Sequence, residues 1–191
     1  MRLEGKVALI AGAGSIREIP RLPGIGRATA ILFAQEGAKV VAADIRPRAG
    51  EKTVEMIREK GGDAIFVQGD VTKAEDAKRM VEDAVSTYGK LDILHNNVGI
   101  GLGGSVVDTS EEDWDRVIIT NLKGIFLVSK YAIPHMIKNR GGSIINTSSV
   151  AGMRSHEMSA YSTSKAGVIA LTRCMAVDFA SYGIRVNCIV P

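Results

Sequence analysis

The sequence contains few residues of the kinds that mark disulfide-rich, metal-binding or nucleic-acid-binding proteins. Only two of its 191 residues are cysteines. Cys174 and Cys188 lie in apolar stretches without metal-ligand spacing, which predicts buried thiols, a reducing compartment and no metal site. Lys and Arg number 24 against 21 Asp and Glu, a formal net charge of +3. Because these charges are spread along the chain, the sequence offers no basic patch for a nucleic acid or a membrane surface.

Long apolar runs are missing as well. The N-terminal segment lacks the apolar core and the small-residue cleavage site of a signal peptide, and no apolar run approaches the length of a membrane span. We therefore expect a cytoplasmic protein without membrane or nucleic-acid partners. With 46% hydrophobic and 24% charged residues, the composition is that of a soluble globular protein. Its length suits a single domain, residues 1–191.

Short apolar runs alternate with amphipathic helical stretches along the whole chain. The predicted strands are Val7–Ala11, Val40–Asp44, Ala64–Gln68, Asp92–His95, Ser143–Thr147 and Arg185–Val190. Helices are predicted over Gly24–Glu36, from the second strand to about Lys60, after Thr72 to Tyr88, over Ser110–Asn139 and over Ser159–Tyr182. Six strands joined by helical crossovers predict an α/β fold with a doubly wound parallel sheet.

Polar residues mark the starts of two of these helices. Thr72 and Glu75 have the spacing of a capping box, and Ser110 is the predicted N-cap of the long helix to Asn139. Pro134 lies inside that helix and is expected to bend it.

The first predicted strand leads into a glycine-rich turn. Gly12 and Gly14 follow the strand, and Gly24 and Gly26 open the next helix. Such glycines let the backbone approach a pyrophosphate, which the unpaired N–H groups of the helix N-terminus can bind. Asp44 ends the second strand, where a carboxylate can meet ribose hydroxyls. The alternative interpretation is a tight strand-to-helix turn followed by a surface aspartate.

The segment Ile16–Pro23 separates the two pairs of glycines and carries two arginines. It is either a longer surface loop or a source of contacts from Arg17 or Arg21 to the phosphates of a cofactor.

Tyr161 and Lys165 lie four residues apart at the start of a predicted helix and therefore share one helix face. A tyrosine hydroxyl, with an ordinary pKa near ~10, is a poor general base at neutral pH. A neighbouring ammonium favours the phenolate and makes the proton easier to transfer. The spacing alone also fits an exposed helix face.

Two serines follow the strand predicted just upstream, Ser143–Thr147. This strand places the hydroxyls of Ser148 and Ser149 at its carboxyl end, the edge at which open α/β sheets bind ligands.

Taken together in chain order, these motifs resemble the short-chain dehydrogenase/reductase family. The matching stretches are the glycine-rich loop, Asp70–Val71, Asn96–Gly99, Asn121, the Ser-Ser-Val-Ala-Gly stretch, the Tyr-Ser-Thr-Ser-Lys helix start and Arg185–Asn187. The resemblance implies a Rossmann fold and an NAD(P)-dependent oxidoreductase that interconverts a secondary alcohol and a ketone. It also implies a homodimer or homotetramer formed through the helices Ser110–Asn139 and Ser159–Tyr182.

The same resemblance implies roles for individual residues. Tyr161 would be the general acid and base, Lys165 would assist it and hold the nicotinamide ribose, Ser149 would steady the substrate oxygen, and Asn121 would hold a water linked to Lys165. The implied cofactor residues are Gly12, Ser15, Ile25, Gly26, Asp44, Asp70, Val71, Asn97, Gly99, Tyr161 and Lys165. NAD is favoured over NADP, because the carboxylate of Asp44 would repel a 2′-phosphate. A non-catalytic dinucleotide sensor or scaffold on the same fold is the alternative function.

Some positions depart from the family pattern. Ala11 replaces a threonine whose hydroxyl often ties the loop to a neighbouring strand. The loop before Tyr161 is one residue short, so Ser149 is assigned from the Val-Ala-Gly that follows it, with Ser148 as the other choice. The chain stops at Pro191, and we expect that a C-terminal edge strand and a substrate lid are missing from it.

Overall fold

The computed structural model of the chain describes residues 1–15, 24–154 and 157–191. Ile16–Pro23 and its two arginines, Arg17 and Arg21, lie outside the described residues.

Six parallel strands form one sheet. They are β1 (Val7–Ala11), β2 (Lys39–Asp44), β3 (Ala64–Gln68), β4 (Ile93–Asn96), β5 (Gly142–Thr147) and β6 (Ile184–Ile189), and they lie in the order β3-β2-β1-β4-β5-β6. The chain runs outward from β1 to β3, returns to place β4 beside β1, and then runs outward in the other direction. This arrangement confirms the predicted doubly wound parallel sheet, with every strand within one residue of its predicted bounds.

Helices cover both faces of the central strands. On one face, α1 (Ile25–Gln35) and α2 (Pro47–Arg58) pack on a cluster that includes Ala8 and Ile10. On the other, α3 (Ala74–Tyr88), α5 (Gly124–Lys138) and α6 (Ser159–Phe179) pack on a cluster that includes Leu9 and Val41. Since β1 is buried at all five positions, it reads in sequence as a continuous apolar run.

In β6 the side chains alternate between buried and exposed. Ile184 and Val186 are buried, whereas Arg185, Asn187 and Ile189 are exposed. Within the described part of the chain, this strand is therefore covered on one face.

The predicted capping box at the start of α3 is wrong. The backbone N–H and the hydroxyl of Thr72 both donate to Oδ1 of Asp70, at 2.9 and 2.8 Å, so the threonine closes a turn on the preceding aspartate. Lys73 is the N-cap residue and makes no side-chain capping bond. Asp76, in the first turn, instead accepts a hydrogen bond from the backbone N–H of Asp70 at 2.9 Å.

The predicted long helix consists of three parts. Its N-cap is confirmed, because Oγ of Ser110 accepts from the N–H of Asp113 at 3.1 Å. The helix α4 (Glu111–Ile118) then passes into a π-helical turn, Ile119–Lys123, and the turn passes into α5. The α-helical pattern is therefore interrupted around Asn121, while α5 continues through Pro134.

Two further expectations are corrected by the fold. Cys174 is exposed on α6 and Cys188 is half-buried in β6, so the prediction of two buried thiols is wrong. The apolar stretch around Cys174 misled the interpretation because one side of α6, which also carries Val177, faces outward. The expectation that no apolar stretch approaches the length of a membrane span is also corrected: the 28-residue helical stretch Glu111–Lys138 contains an 18-residue window with a mean hydropathy of 1.2, which is long and apolar enough to cross a membrane by length and composition alone. Half of the apolar window is buried inside the protein, as in a core helix.

Candidate active site

A cavity of about 990 Å³ opens at the carboxyl ends of β1 to β4. The order of the strands reverses between β1 and β4, and open α/β sheets bind ligands in the crevice at that point. The residues that line it include Gly12, Ser15, Ile25, Gly26, Asp44, Asp70, Val71, Asn97 and Gly99. These are all the predicted cofactor residues other than Tyr161 and Lys165. The volume lies at the upper end of the range for ligand and cofactor pockets, which suits a dinucleotide.

The turn after β1 is built for close backbone contact. Gly12 has a φ of +83°, which favours glycine, and its N–H donates to the carbonyl of Ala43 at 2.8 Å. A Cβ on Gly26 would lie only 1.9 Å from the carbonyl oxygen of Gly12, so a larger residue there would push the helix away from the turn. Gly24, Ile25 and Gly26, at the start of α1, line the cavity, and among the described residues the N-cap Gly24 offers no side-chain cap to the first N–H groups of this helix. This is the form of site that binds a pyrophosphate.

Asp44, at the end of β2, holds the turn and borders the cavity. Its Oδ2 accepts from the N–H of Gly14 at 2.8 Å, and its Oδ1 accepts from the N–H and from Nε of Arg46 at 3.0 and 3.2 Å. A carboxylate offers about four acceptor positions, so three bonds leave capacity for one ribose hydroxyl. Arg46 lines the same cavity and places a positive charge beside the carboxylate.

Four predicted cofactor residues follow β3 and β4, namely Asp70, Val71, Asn97 and Gly99. Asp70 is half-buried and already accepts two bonds from Thr72, while Val71 is buried. Asn97 donates from Nδ2 to the carbonyl oxygen of Gly12 at 3.2 Å. Asn97 thus connects the end of β4 to the turn after β1, across the crevice between the two strands.

Lys165 is a buried cation at the inner end of the site. It is 3% exposed, and its Nζ donates to the main-chain carbonyl of Thr147 at 2.9 Å. Burial lowers the pKa of Lys165 from 10.5 to about 8, with a smaller opposing effect from the nearby thiol of Cys188. A Cβ on Gly99 would lie 3.1 Å from this Nζ, so the segment after β4 passes directly over the ammonium.

Tyr161 lies one helical turn before Lys165 on α6. The lysine Nζ is 5.7 Å from the centre of the tyrosine ring, so the structure brings the two predicted catalytic residues together. The ring is half-buried, and a Cβ on Gly101 would lie 3.9 Å from its Cδ2. Neither Tyr161 nor Lys165 lines the main cavity as the described residues define it; both border it through the segment 99–101.

The two serines after β5 have different surroundings. Ser148 is 3% exposed, and its hydroxyl donates to the carbonyl oxygen of Lys165 at 2.7 Å, so its proton is already used. Ser149 is half-buried, and its Oγ accepts a long bond from the N–H of Ala151 at 3.3 Å. Because a donor to a substrate oxygen needs a free proton and access, this geometry favours Ser149 over Ser148.

Asn121 is fully buried in the π-helical turn, and its side chain joins this turn to the segment after β4 and to α6. Its Nδ2 donates to the carbonyl of Ile100 at 2.9 Å and to Oγ of Ser164 at 3.0 Å, and its Oδ1 accepts from the N–H of Ile100 at 2.8 Å. Oγ of Ser164 in turn donates to the carbonyl of Tyr161 at 2.7 Å. The side chain of Asn121 is therefore engaged in holding the segment after β4 against the start of α6. π-Helical turns often occur at functional sites.

Sequence reasoning missed two polar residues beside the site, Thr147 and His95. Thr147 supplies the carbonyl that holds Lys165, and its Oγ1 lies 3.2 Å from Oδ1 of Asn97. His95 is 2% exposed, with Nε2 at 3.0 Å from the same Oγ1. A histidine in an otherwise apolar strand was the available signal for this pair.

The chain is similar to known proteins both in sequence and in structure. The model of the short chain dehydrogenase family matches residues 6–191. An uncharacterized oxidoreductase of Thermotoga maritima is 48% identical over the whole chain, which covers 72% of that protein. The 3-oxoacyl-[acyl-carrier-protein] reductase FabG of Thermotoga maritima is 45% identical, again over the whole chain and 75% of that protein. The crystal structure of an NAD⁺-bound xylitol dehydrogenase superposes with a TM-score of 0.93 at 40% identity, covering the whole chain and 71% of that protein.

Proposed function

Because the chain belongs to the short-chain dehydrogenase/reductase family of oxidoreductases, we propose that it interconverts a secondary alcohol and a ketone with NAD, using Tyr161 as general acid and base. The observation that carries the proposal is the buried ammonium of Lys165, 5.7 Å from the centre of the Tyr161 ring, beside a cavity of dinucleotide size.

The residues at the inner end of the site divide the chemistry between them. A bound nicotinamide supplies the hydride for reduction and accepts it for oxidation. The hydroxyl of Tyr161 gives its proton to the substrate oxygen in reduction and takes it back in oxidation. The ammonium of Lys165 favours the phenolate form, and the carbonyl of Thr147 keeps that ammonium in place.

Ser149 and Asn121 complete the proposed set. Ser149 donates to the substrate oxygen, where negative charge develops during reduction. Asn121 holds the segment at Ile100 and the start of α6 in register, and a water held at its turn would link Lys165 to solvent.

NAD is proposed in preference to NADP because Asp44 stands at the end of β2. Its carboxylate retains one acceptor position for a ribose hydroxyl and would repel a 2′-phosphate. The positive charge of Arg46 would attract a 2′-phosphate, but it opposes the preference for NAD only in part, because its Nε already donates to Oδ1 of Asp44 at 3.2 Å. The NAD⁺-bound xylitol dehydrogenase of similar structure supports the choice.

Replacing Tyr161 tests the proposal. Tyr161→Phe should lower kcat by about 10²–10⁴-fold, the usual contribution of general acid–base catalysis, while binding of NADH is retained. Turnover is measured with NAD and a panel of polyols, and with NADH and a panel of ketones and 3-oxoacyl thioesters; dissociation constants of NADH and NADPH are measured by fluorescence titration.

Tyr182→Phe is the matched control, because that tyrosine is 48% exposed in the short turn Ala180–Tyr182 after α6, and its replacement should leave both readouts unchanged. Binding of NADH without turnover of any substrate would replace this proposal by a dinucleotide sensor or scaffold. Tighter binding of NADPH than of NADH would refute the role given to Asp44.

We extend the proposal to assembly and location. The outward sides of α5 and α6 expose Phe126 and Val177, the latter 79% exposed, and a homodimer or homotetramer would cover them. The free thiols of Cys174 and Cys188 suit the reducing cytoplasm. Small-molecule alcohols and ketones are the proposed partners.

A further inference from the structure

A chain of hydrogen bonds with a fixed direction joins the turn after β1 to the end of β5. The carbonyl oxygen of Gly12 can only accept, so the atom of Asn97 that faces it at 3.2 Å is the donor Nδ2. The acceptor Oδ1 of Asn97 then faces Thr147, whose Oγ1 donates to it at 3.2 Å. Since that hydroxyl has a single proton, the contact of 3.0 Å to Nε2 of His95 requires the histidine to donate.

The surroundings of His95 keep it in this donor state. Its ring is 2% exposed, and in the part of the chain that the structure describes Nδ1 has no hydrogen-bond partner. Protonation would place a second N–H at Nδ1 with nothing to accept it. Burial accordingly lowers the pKa of His95 from 6.5 to about 4. At neutral pH the ring is therefore uncharged, with its proton on Nε2.

Thr147 contacts both halves of the site at once. Its hydroxyl holds Asn97 and, through it, the turn at Gly12, while its main-chain carbonyl holds Nζ of Lys165 at 2.9 Å. The strand that leads into the turn cannot anchor it with a side chain, because Ala11 has no polar atom beyond its backbone. The chain through Thr147 is thus a side-chain link from the phosphate-binding turn to the catalytic end of the sheet.

We propose that Thr147, oriented by His95, is a positioning residue that keeps the phosphate-binding turn in register with the Tyr161–Lys165 pair. The inference rests on the proposed function, since its consequence is that one dinucleotide reaches both places without distortion. In the proposed reaction Thr147 touches neither the substrate nor the reacting atoms.

Thr147→Val tests the proposal because it removes the hydroxyl, keeps the shape of the side chain and leaves the carbonyl that holds Lys165. We expect the dissociation constant of NADH to rise about five- to tenfold, the worth of about one hydrogen bond, with kcat at saturating NAD within about twofold of wild type. Amide hydrogen exchange of Gly12 to Gly14 in the cofactor-free protein should become faster.

Two further variants separate positioning from a general loss of stability. Thr147→Ser retains the hydroxyl and should restore both the dissociation constant and the slow exchange. Thr172→Val is the matched control: Thr172 is equally buried and bridges Asn146 and Val168, but it packs on the opposite face of the sheet. It should leave the exchange at Gly12 to Gly14 unchanged.

The proposal is overturned if Thr147→Val changes neither NADH affinity nor exchange, if Thr147→Ser is as impaired as Thr147→Val, or if Thr172→Val has the same effects. Failure of wild-type protein to bind NADH would refute the proposed function instead. The exchange of Gly12 to Gly14 would then decide by itself whether Thr147 holds the turn.

Discussion

The buried charge of Lys165 should make the protein less stable than it could be, and Lys165→Met should reveal this at neutral pH. Burial lowers the pKa of Lys165 from 10.5 to about 8. At about 1.4 kcal/mol for each tenfold change in proton affinity, the charged lysine costs the folded state about 3 kcal/mol below pH 8. Methionine removes that cost but leaves the carbonyl of Thr147 without its donor, which costs about 1–2 kcal/mol. The expected net gain in the free energy of unfolding is about 1–2 kcal/mol.

The lowered pKa of Lys165 also fixes the direction in which the free energy of unfolding changes with pH. Between about pH 8 and pH 10.5 the unfolded chain still binds the lysine proton while the folded protein has released it. Stability therefore rises with pH across this window in the wild type, and the contribution is absent from Lys165→Met. The advantage of the variant should be largest at pH 7 and should shrink steadily toward pH 10.

Urea unfolding of both proteins at pH 7, 8.5 and 9.5 measures the effect, and only the difference between them is used, because other groups titrate in the same range. Lys60→Met, at an exposed lysine, is the matched control and should differ little from wild type at any pH. The reasoning is refuted if Lys165→Met is less stable than wild type at pH 7, or if the difference between them does not change with pH.

Two other predictions follow from the structure. His95→Gln keeps a donor for Thr147 but cannot titrate; because the folded pKa of His95 is about 4 against an ordinary 6.5, the wild type should lose up to about 3 kcal/mol of stability as the pH falls from 6.5 to 4, and the variant should lose less. Urea unfolding at pH 7 and 4.5 measures this, and an equal loss in both proteins would contradict it. Val177→Glu places a charge on the outward side of α6 and should convert the proposed oligomer to smaller species by light scattering, whereas Val107→Glu, at an exposed loop position, should not. A wild type that is monomeric, or an oligomer unaffected by Val177→Glu, would exclude that interface.

The sheet could be predicted closely from the sequence because its central strands, β1, β2 and β4, are buried on both faces. Val7–Ala11 is an uninterrupted apolar run, and the glycines after it allow a turn that larger residues would obstruct, as the 1.9 Å approach at Gly26 shows. Local competition between side chains was harder to foresee. Thr72 has the spacing of a cap, but Asp70 lies closer in sequence and accepts both of its protons.

The interior of the candidate site was predictable only in part. The residues that line the cavity could be named from motifs, because their types are what a dinucleotide requires. The π-helical turn at Asn121 could not, since Ile119–Lys123 contains neither glycine nor proline to mark an interruption of the α-helix. The anchor of Lys165 could not be found either, because it is a main-chain carbonyl, and a backbone contact leaves no trace in residue type.

Lys165 of α6 and His95 of β4 share one physical property, which is that the burial of each polar side chain costs folding free energy. Among the residues that the structure describes, the ammonium of Lys165 has a main-chain carbonyl, that of Thr147, and no carboxylate as its partner, and one ring nitrogen of the buried His95 is unpaired. Neither arrangement is what a stable core would select, because apolar residues of similar volume would fill the same space without desolvating a polar atom. Both residues meet at Thr147, one at its carbonyl and the other at its hydroxyl. That such costs converge on one residue, between the turn after β1 and Tyr161, is what the proposed active site requires, since its groups must be held where the reaction needs them before the substrate arrives.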